Sequence, residues 1–135
     1  MNKLIGNISK ITSYEGISLV NIETPYTTLG TVVIDTPKSC SYLKVGQKIT
    51  VAFKETEVAI ALPNLGDISM ANQLKCKIKE LENGKILTKI LLTCKDVQIT
   101  SIITVNSSKR LHLKKDIEVI ALIKANEISL INEEN

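Results

Sequence analysis

The feature that most constrains this chain is an internal repeat. At a spacing of 70 residues, Asn2, Leu4 and Ile8 return as Asn72, Leu74 and Ile78, and Leu43-Lys44 returns as Leu113-Lys114. The closing stretches match without a gap: Ile49, Val51, Phe53-Lys54, Glu57-Val58 and Ile60 become Val119, Ala121, Ile123-Lys124, Glu127-Ile128 and Leu130. The repeat predicts two domains at 1–64 and 72–135, joined by a linker at 65–71, which the turn-rich Pro63-Asn64-Leu65-Gly66-Asp67-Ile68 marks. Units of about 65 residues sit near the lower limit for a self-sufficient core, so they are expected to lean on each other or on other subunits. A duplicated unit suits paired binding sites better than one asymmetric catalytic centre.

Alternation with period two is the recurrent local pattern. Leu4, Gly6 and Ile8 share one face, as do Leu74, Cys76 and Ile78, opposite Lys75, Lys77 and Lys79. Further β-rich stretches at 17–23, 28–35, 48–53 and 57–62, and at 86–92, 97–104, 117–123 and 127–132, give each copy about five strands. Tyr14-Glu15-Gly16 and Glu82-Asn83-Gly84 read as hairpin tips. The polar stretches 37–45 and 107–115 each have room for one or two helical turns. In the middle the copies read as offset, the first with a hairpin two residues longer and a later connection two residues shorter. Five strands and one short helix per copy predict an all-β fold of two tandem OB-like five-stranded barrels.

Composition narrows the partners. The net charge of +3 divides unevenly, with six lysines against five acids in 1–64 and eleven Lys or Arg against eight acids in 72–135. Arg110 is the only arginine, and the aromatics are only Tyr14, Tyr26, Tyr42 and Phe53. Readers of DNA or RNA use arginine forks and stacking platforms, so nucleic acid is disfavoured, although Lys75, Lys77 and Lys79 could track phosphates. A mild positive bias suits a small anion. Cys40, Cys76 and Cys94 lack any C-x-x-C spacing and read as core or half-buried thiols of a reducing cytosol. Apolar runs reach only five residues, as at Val119 to Ile123, so no membrane span is expected and the protein is read as soluble and cytoplasmic. One histidine, His112, with no G-x-G-x-x-G or P-loop, argues against an enzyme.

Four motifs, taken in order, carry a resemblance. The second copy shows Ser69-Met70-Ala71-Asn72-Gln73-Leu74, then Ile103-Thr104-Val105-Asn106-Ser107, then Leu111-His112-Leu113, then Ile123-Lys124-Ala125-Asn126-Glu127-Ile128. The first shows Asn2-Lys3-Leu4-Ile5-Gly6, Leu43-Lys44-Val45-Gly46 and Phe53-Lys54-Glu55-Thr56-Glu57-Val58. In this the chain resembles the molbindin family, whose domain is also called Mop or TOBE (transport-associated OB). The resemblance implies a tandem Mop/TOBE protein that binds molybdate or tungstate between domains or subunits, uses no organic cofactor, and serves intracellular storage or homeostasis. It further implies a homo-oligomer, a trimer first and a dimer as the alternative. A nucleic-acid-binding OB protein and a regulatory or assembly TOBE module without ligand are the other readings.

The resemblance assigns oxyanion contact to Thr104, Ser107, Lys124, Ala125, Asn126, Ser69, Met70 and Ala71 in the second copy, and to Lys54, Glu55 and Thr56 in the first. A tetrahedral dianion calls for such groups: hydroxyls, backbone N–H groups and an ammonium converge on it as donors. No residue here ligates a metal directly. A structural reading competes, because a Thr and a Ser three apart at a strand end also cap a helix. The chain departs from the family pattern at several places. The arginine before the opening Asn is Ala71 or Met1, Ile34 and Pro37 stand where Thr and Ser belong, and Glu55 replaces an alanine.

Overall fold

A computed structural model describes residues 1–133. It contains two five-stranded antiparallel sheets. The first copy supplies β1 (Asn2–Tyr14), β2 (Ile17–Glu23), β3 (Thr28–Val33), β4 (Lys48–Phe53) and β5 (Ala59–Ala61). The second supplies β6 (Asn72–Asn83), β7 (Leu87–Cys94), β8 (Val97–Thr104), β9 (Glu118–Ile123) and β10 (Ser129–Ile131). The strand orders are β10-β4-β1-β2-β3 and β5-β9-β6-β7-β8.

Alternation makes the long strands. In β1 the inward positions Asn2, Leu4, Gly6 and Ile8 are buried and the residues between them exposed, and β6 repeats this burial pattern. Each long strand carries an irregularity at one place, between Ile8 and Lys10 and between Ile78 and Glu80. An extra residue there bends the strand and raises its twist, which lets it divide its length between two neighbours. β6 accordingly pairs with β9 through Asn72–Lys77 and with β7 through Lys77–Asn83. The cores fill from the inward rows. Leu4, Ile8, Val20, Ile22, Leu29, Ile49 and Phe53 are buried in one sheet, and Leu74, Ile78, Ile90, Leu92, Ile99, Val119 and Ile123 in the other.

The spacing of 70 runs unbroken through the middle as well, since Val20, Leu29 and Thr31 share burial with Ile90, Ile99 and Ser101. The two-residue offsets read from the sequence are therefore absent. The first hairpin turns at Glu15-Gly16, both with positive φ (50° and 80°), as a two-residue turn requires. In the second copy the strand runs on through Asn83 and the loop is 84–86, so Asn83-Gly84 does not form the tip.

The compact units are not the two repeats. One consists of Lys3–Phe53 with Met1 and the segment that begins at Lys124, the other of Lys54–Ile123 with Asn2. The cause is the exchange of the closing strands: β10 pairs with β4 (Leu130 opposite Val51), and β5 pairs with β9 (Ile60 opposite Ala121). The expected boundaries of 1–64 and 72–135 delimit the repeat in sequence, whereas each sheet is completed by the other copy's last strand.

Two further expectations are corrected. Among the described residues the one α-helix, α1 (Val105–Arg110), lies in the second copy. Its counterpart at 37–45 forms turns, because Ile34 and Pro37 replace the Thr and Ser that start α1 and proline brings no N–H. Cys76 and Cys94 are not free thiols but a disulfide. The register places them directly across β6 and β7 with Cα atoms 4.5 Å apart, leaving Cys40 as the free cysteine. No helix among the described residues is long and apolar enough to cross a membrane.

Candidate functional site

The motif that closes each copy folds into the same small element. After the fourth strand the chain makes a 3-10 turn, at Glu55–Glu57 and at Ala125–Glu127, each entered through a lysine in extended conformation. Lys54 has φ −74° and ψ 149°, and Lys124 has φ −69° and ψ 147°. The Lys54 and Lys124 carbonyls accept from Glu57 N and Glu127 N, both at 3.0 Å. In the first of these turns the Glu55 amide donates to its own carboxylate. Lys54, Thr56, Lys124 and Asn126 are exposed, and Glu55 and Ala125 half-buried.

Two buried hydroxyls hold these turns. Ser101 Oγ donates to Val58 O at 2.7 Å, and Thr31 Oγ1 donates to Ile128 O at 2.7 Å, with a second contact to Ala125 O at 3.1 Å. Thr31 and Ser101 are equivalent at spacing 70, as are Ile128 and Val58. The turn at 55–57 thus belongs to the unit built on β8, and the turn at 125–127 to the unit built on β3. Lys54, Glu55 and Thr56 share a unit with Thr104, Ser107 and Ser69-Met70-Ala71, while Lys124, Ala125 and Asn126 lie in the other. Lys124 and Thr104 thus share a copy in the sequence but belong to different units.

Thr104 caps α1. Its Oγ1 accepts from Ser107 N at 3.1 Å and donates to Ser107 Oγ at 3.0 Å. Ser107 Oγ also accepts from Arg110 Nη2 at 3.2 Å. With two donors on its oxygen, Ser107 Oγ keeps its own proton to donate, beside a guanidinium that has further N–H groups. Sequence reasoning passed over Arg110. Its signal was a position three residues beyond Ser107, one turn along a helix. Ser69 and Ala71 are exposed and Met70 half-buried, in a stretch outside regular structure where Gln73 Nε2 donates to Met70 O at 3.1 Å.

Asn2 and Asn72 were also missed as organising residues. Asn2 forms a two-way pair with the Thr100 backbone, Nδ2 to O and N to Oδ1 both 2.8 Å, and Asn72 Nδ2 donates to Ile123 O at 3.1 Å. Their signal was in plain view, as the first matched pair of the repeat. His112 is exposed, and no cluster of His, Cys, Asp or Glu among the described residues could hold a metal ion.

Residues 68–130 match the TOBE domain. Among solved structures, the cytoplasmic molybdate-binding protein ModG, crystallised with molybdate bound, aligns with a TM-score of 0.89 over 96% of this chain and 94% of its own, at 24% identity. A molybdate-binding protein from Sporomusa ovata aligns over 50% of this chain and 100% of its own, at 31% identity and a TM-score of 0.49. MopII from Clostridium pasteurianum aligns over 49% of this chain and 100% of its own, at 31% identity and 0.47. No curated protein matches the chain in sequence. The likeness to ModG is one of fold, two OB-like barrels in tandem. In fold and motifs the chain resembles the tandem Mop/TOBE proteins of the molbindin family, and its second copy carries the TOBE domain at residues 68–130.

Proposed function

We propose that this protein binds a tetrahedral oxyanion, molybdate or tungstate, for storage or homeostasis in the cytoplasm, and that it catalyses no reaction. The observation that carries this reading is the pair of lysine-led 3-10 turns at Lys54 and Lys124, alike in dihedrals and anchoring hydroxyl. They lie in a fold shared with a protein crystallised with molybdate. Each turn is led by an exposed ammonium, a donor that suits a dianion. The two sites are unequal. Lys54, Glu55 and Thr56 act with Thr104, Ser107, Arg110 and the 69–71 backbone, whereas Lys124, Ala125 and Asn126 act without hydroxyls from the preceding connection, where Ile34 and Pro37 stand.

We further propose that these sites are completed between domains or subunits of a homo-oligomer, a trimer before a dimer. An apolar patch supports association. Tyr14, Ile17, Leu19, Val32 and Ile34 are all exposed, with Tyr14 opposite Ile17 and Leu19 opposite Val32 on adjoining strands. Contiguous apolar surface on an edge strand marks a contact.

Calorimetric titration with molybdate, tungstate, sulfate and phosphate, together with a native mass, tests the whole reading. Heat with molybdate and tungstate from an oligomer is expected, and silence at high micromolar ligand rejects it. Lys124→Ala and Lys54→Ala should each weaken one class of site by about tenfold, the worth of one charge-assisted contact of about 1.5 kcal/mol.

A further inference from the structure

Each sheet carries a cleft on its outer face at the same place. In the first unit a cleft of about 180 Å³ is lined by Ile5, Thr50 and Glu133, among others. At spacing 70 these become Lys75, Ile120 and Pro63, which line a cleft of about 380 Å³ in the second unit. The smaller cleft has an occupant from its own chain. Beyond β10 the Glu133 carboxylate accepts from Thr50 Oγ1 at 3.3 Å and pairs with Lys3 Nζ at 3.4 Å.

The larger cleft has the opposite chemistry. Beyond β5 the chain presents Pro63, so no carboxylate enters from that side. Lys75 replaces Ile5 and Lys77 replaces Asn7, two ammoniums on one face about 7 Å apart. Glu118 stands opposite Lys77 on β9, but Lys75 stands opposite Ile120. Neither lysine forms an ion pair among the described residues. The cleft therefore combines a net positive rim with an apolar wall of Pro63 and Ile120.

We propose that this cleft binds an extended acidic segment of a partner protein, one carboxylate meeting Lys75. The groups that hold Glu133 in the first unit, Lys3 and Thr50, are Gln73 and Ile120 here, so Lys75 and Lys77 supply the charge that receives it. The proposal is independent of the oxyanion reading, because none of these residues belongs to the closing turns.

The test uses the intact protein and a fluorescent peptide with the sequence of residues 129–135, Ser-Leu-Ile-Asn-Glu-Glu-Asn. Anisotropy should report saturable binding with a dissociation constant of about 0.1–1 mM, weakened by salt. The doubly exposed Lys75→Gln/Lys77→Gln variant should bind about tenfold more weakly at unchanged melting temperature, and a peptide carrying Glu133→Gln and Glu134→Gln should not bind. Absence of binding at about 1 mM overturns the proposal. So does equal binding by the double variant, which would place the peptide in the first unit by displacement of the chain's own tail.

Discussion

At the level of single residues, the two copies solve the same backbone problems with different side chains. Gly46 and Asp116 both sit at positive φ (92° and 73°), and their amides close the same contact, to Ile8 O at 2.7 Å and to Ile78 O at 2.8 Å. Aspartate tolerates that conformation less well than glycine, so Asp116→Gly should raise stability by about 0.5–1 kcal/mol in chemical denaturation. Gly6 poses the reverse problem. A Cβ there would lie 2.5 Å from the Glu23 carbonyl oxygen, and Gly6→Ala should destabilise by about 1–3 kcal/mol. At the equivalent position of the second unit the side chain is Cys76, joined to Cys94. Alkylation of the unfolded protein without reductant should label Cys40 alone, and full labelling before reduction would refute the pairing. The pairing was invisible in the sequence because it follows from which residues face each other across β6 and β7, and a spacing of 18 says nothing of register.

Among the elements, the strands and the first hairpin tip were legible and the 3-10 turns were not. Alternation in Asn2–Ile8 and Asn72–Ile78 is a direct imprint of one buried and one wet face, and β2, β4 and β8 span the β-rich stretches 17–23, 48–53 and 97–104. The 3-10 turns leave no periodic trace in three residues. What fixes them is a hydroxyl distant in sequence, Thr31 for Ala125–Glu127 and Ser101 for Glu55–Glu57. Both hydroxyls are fully buried, so removing one leaves a buried carbonyl without its donor. Thr31→Val and Ser101→Ala should each lower stability by about 1–3 kcal/mol. Hydrogen exchange gives the sharper readout: Thr31→Val should loosen β10 first and Ser101→Ala should loosen β5 first. Uniform loss of protection in either variant would contradict a local anchoring role.

For the whole molecule, the repeat was plain in the sequence and the exchange of closing strands was not. Identical copies carry identical pairing information, so a pattern that repeats every 70 residues is equally compatible with each β-strand closing its own sheet or the other's. What separates the two arrangements is the path of the chain through 62–71, which has turns but no strand to declare its direction. The same ambiguity hid which unit each closing lysine joins, since Lys54 and Lys124 change units when the closing segments do. It also yields a test. A fragment of 1–64 lacks β10, the partner of β4, and holds a β5 whose partner β9 lies in the other fragment; 65–135 has the complementary defect. An unpaired strand edge and a half-closed core leave so small a unit marginal. Each fragment alone should be poorly folded or self-associated, and mixing them should restore a stable complex, seen as a gain in circular dichroism and one joint peak in size exclusion. Fragments that fold separately as stable monomers, with no change on mixing, would mean that each copy closes its own sheet.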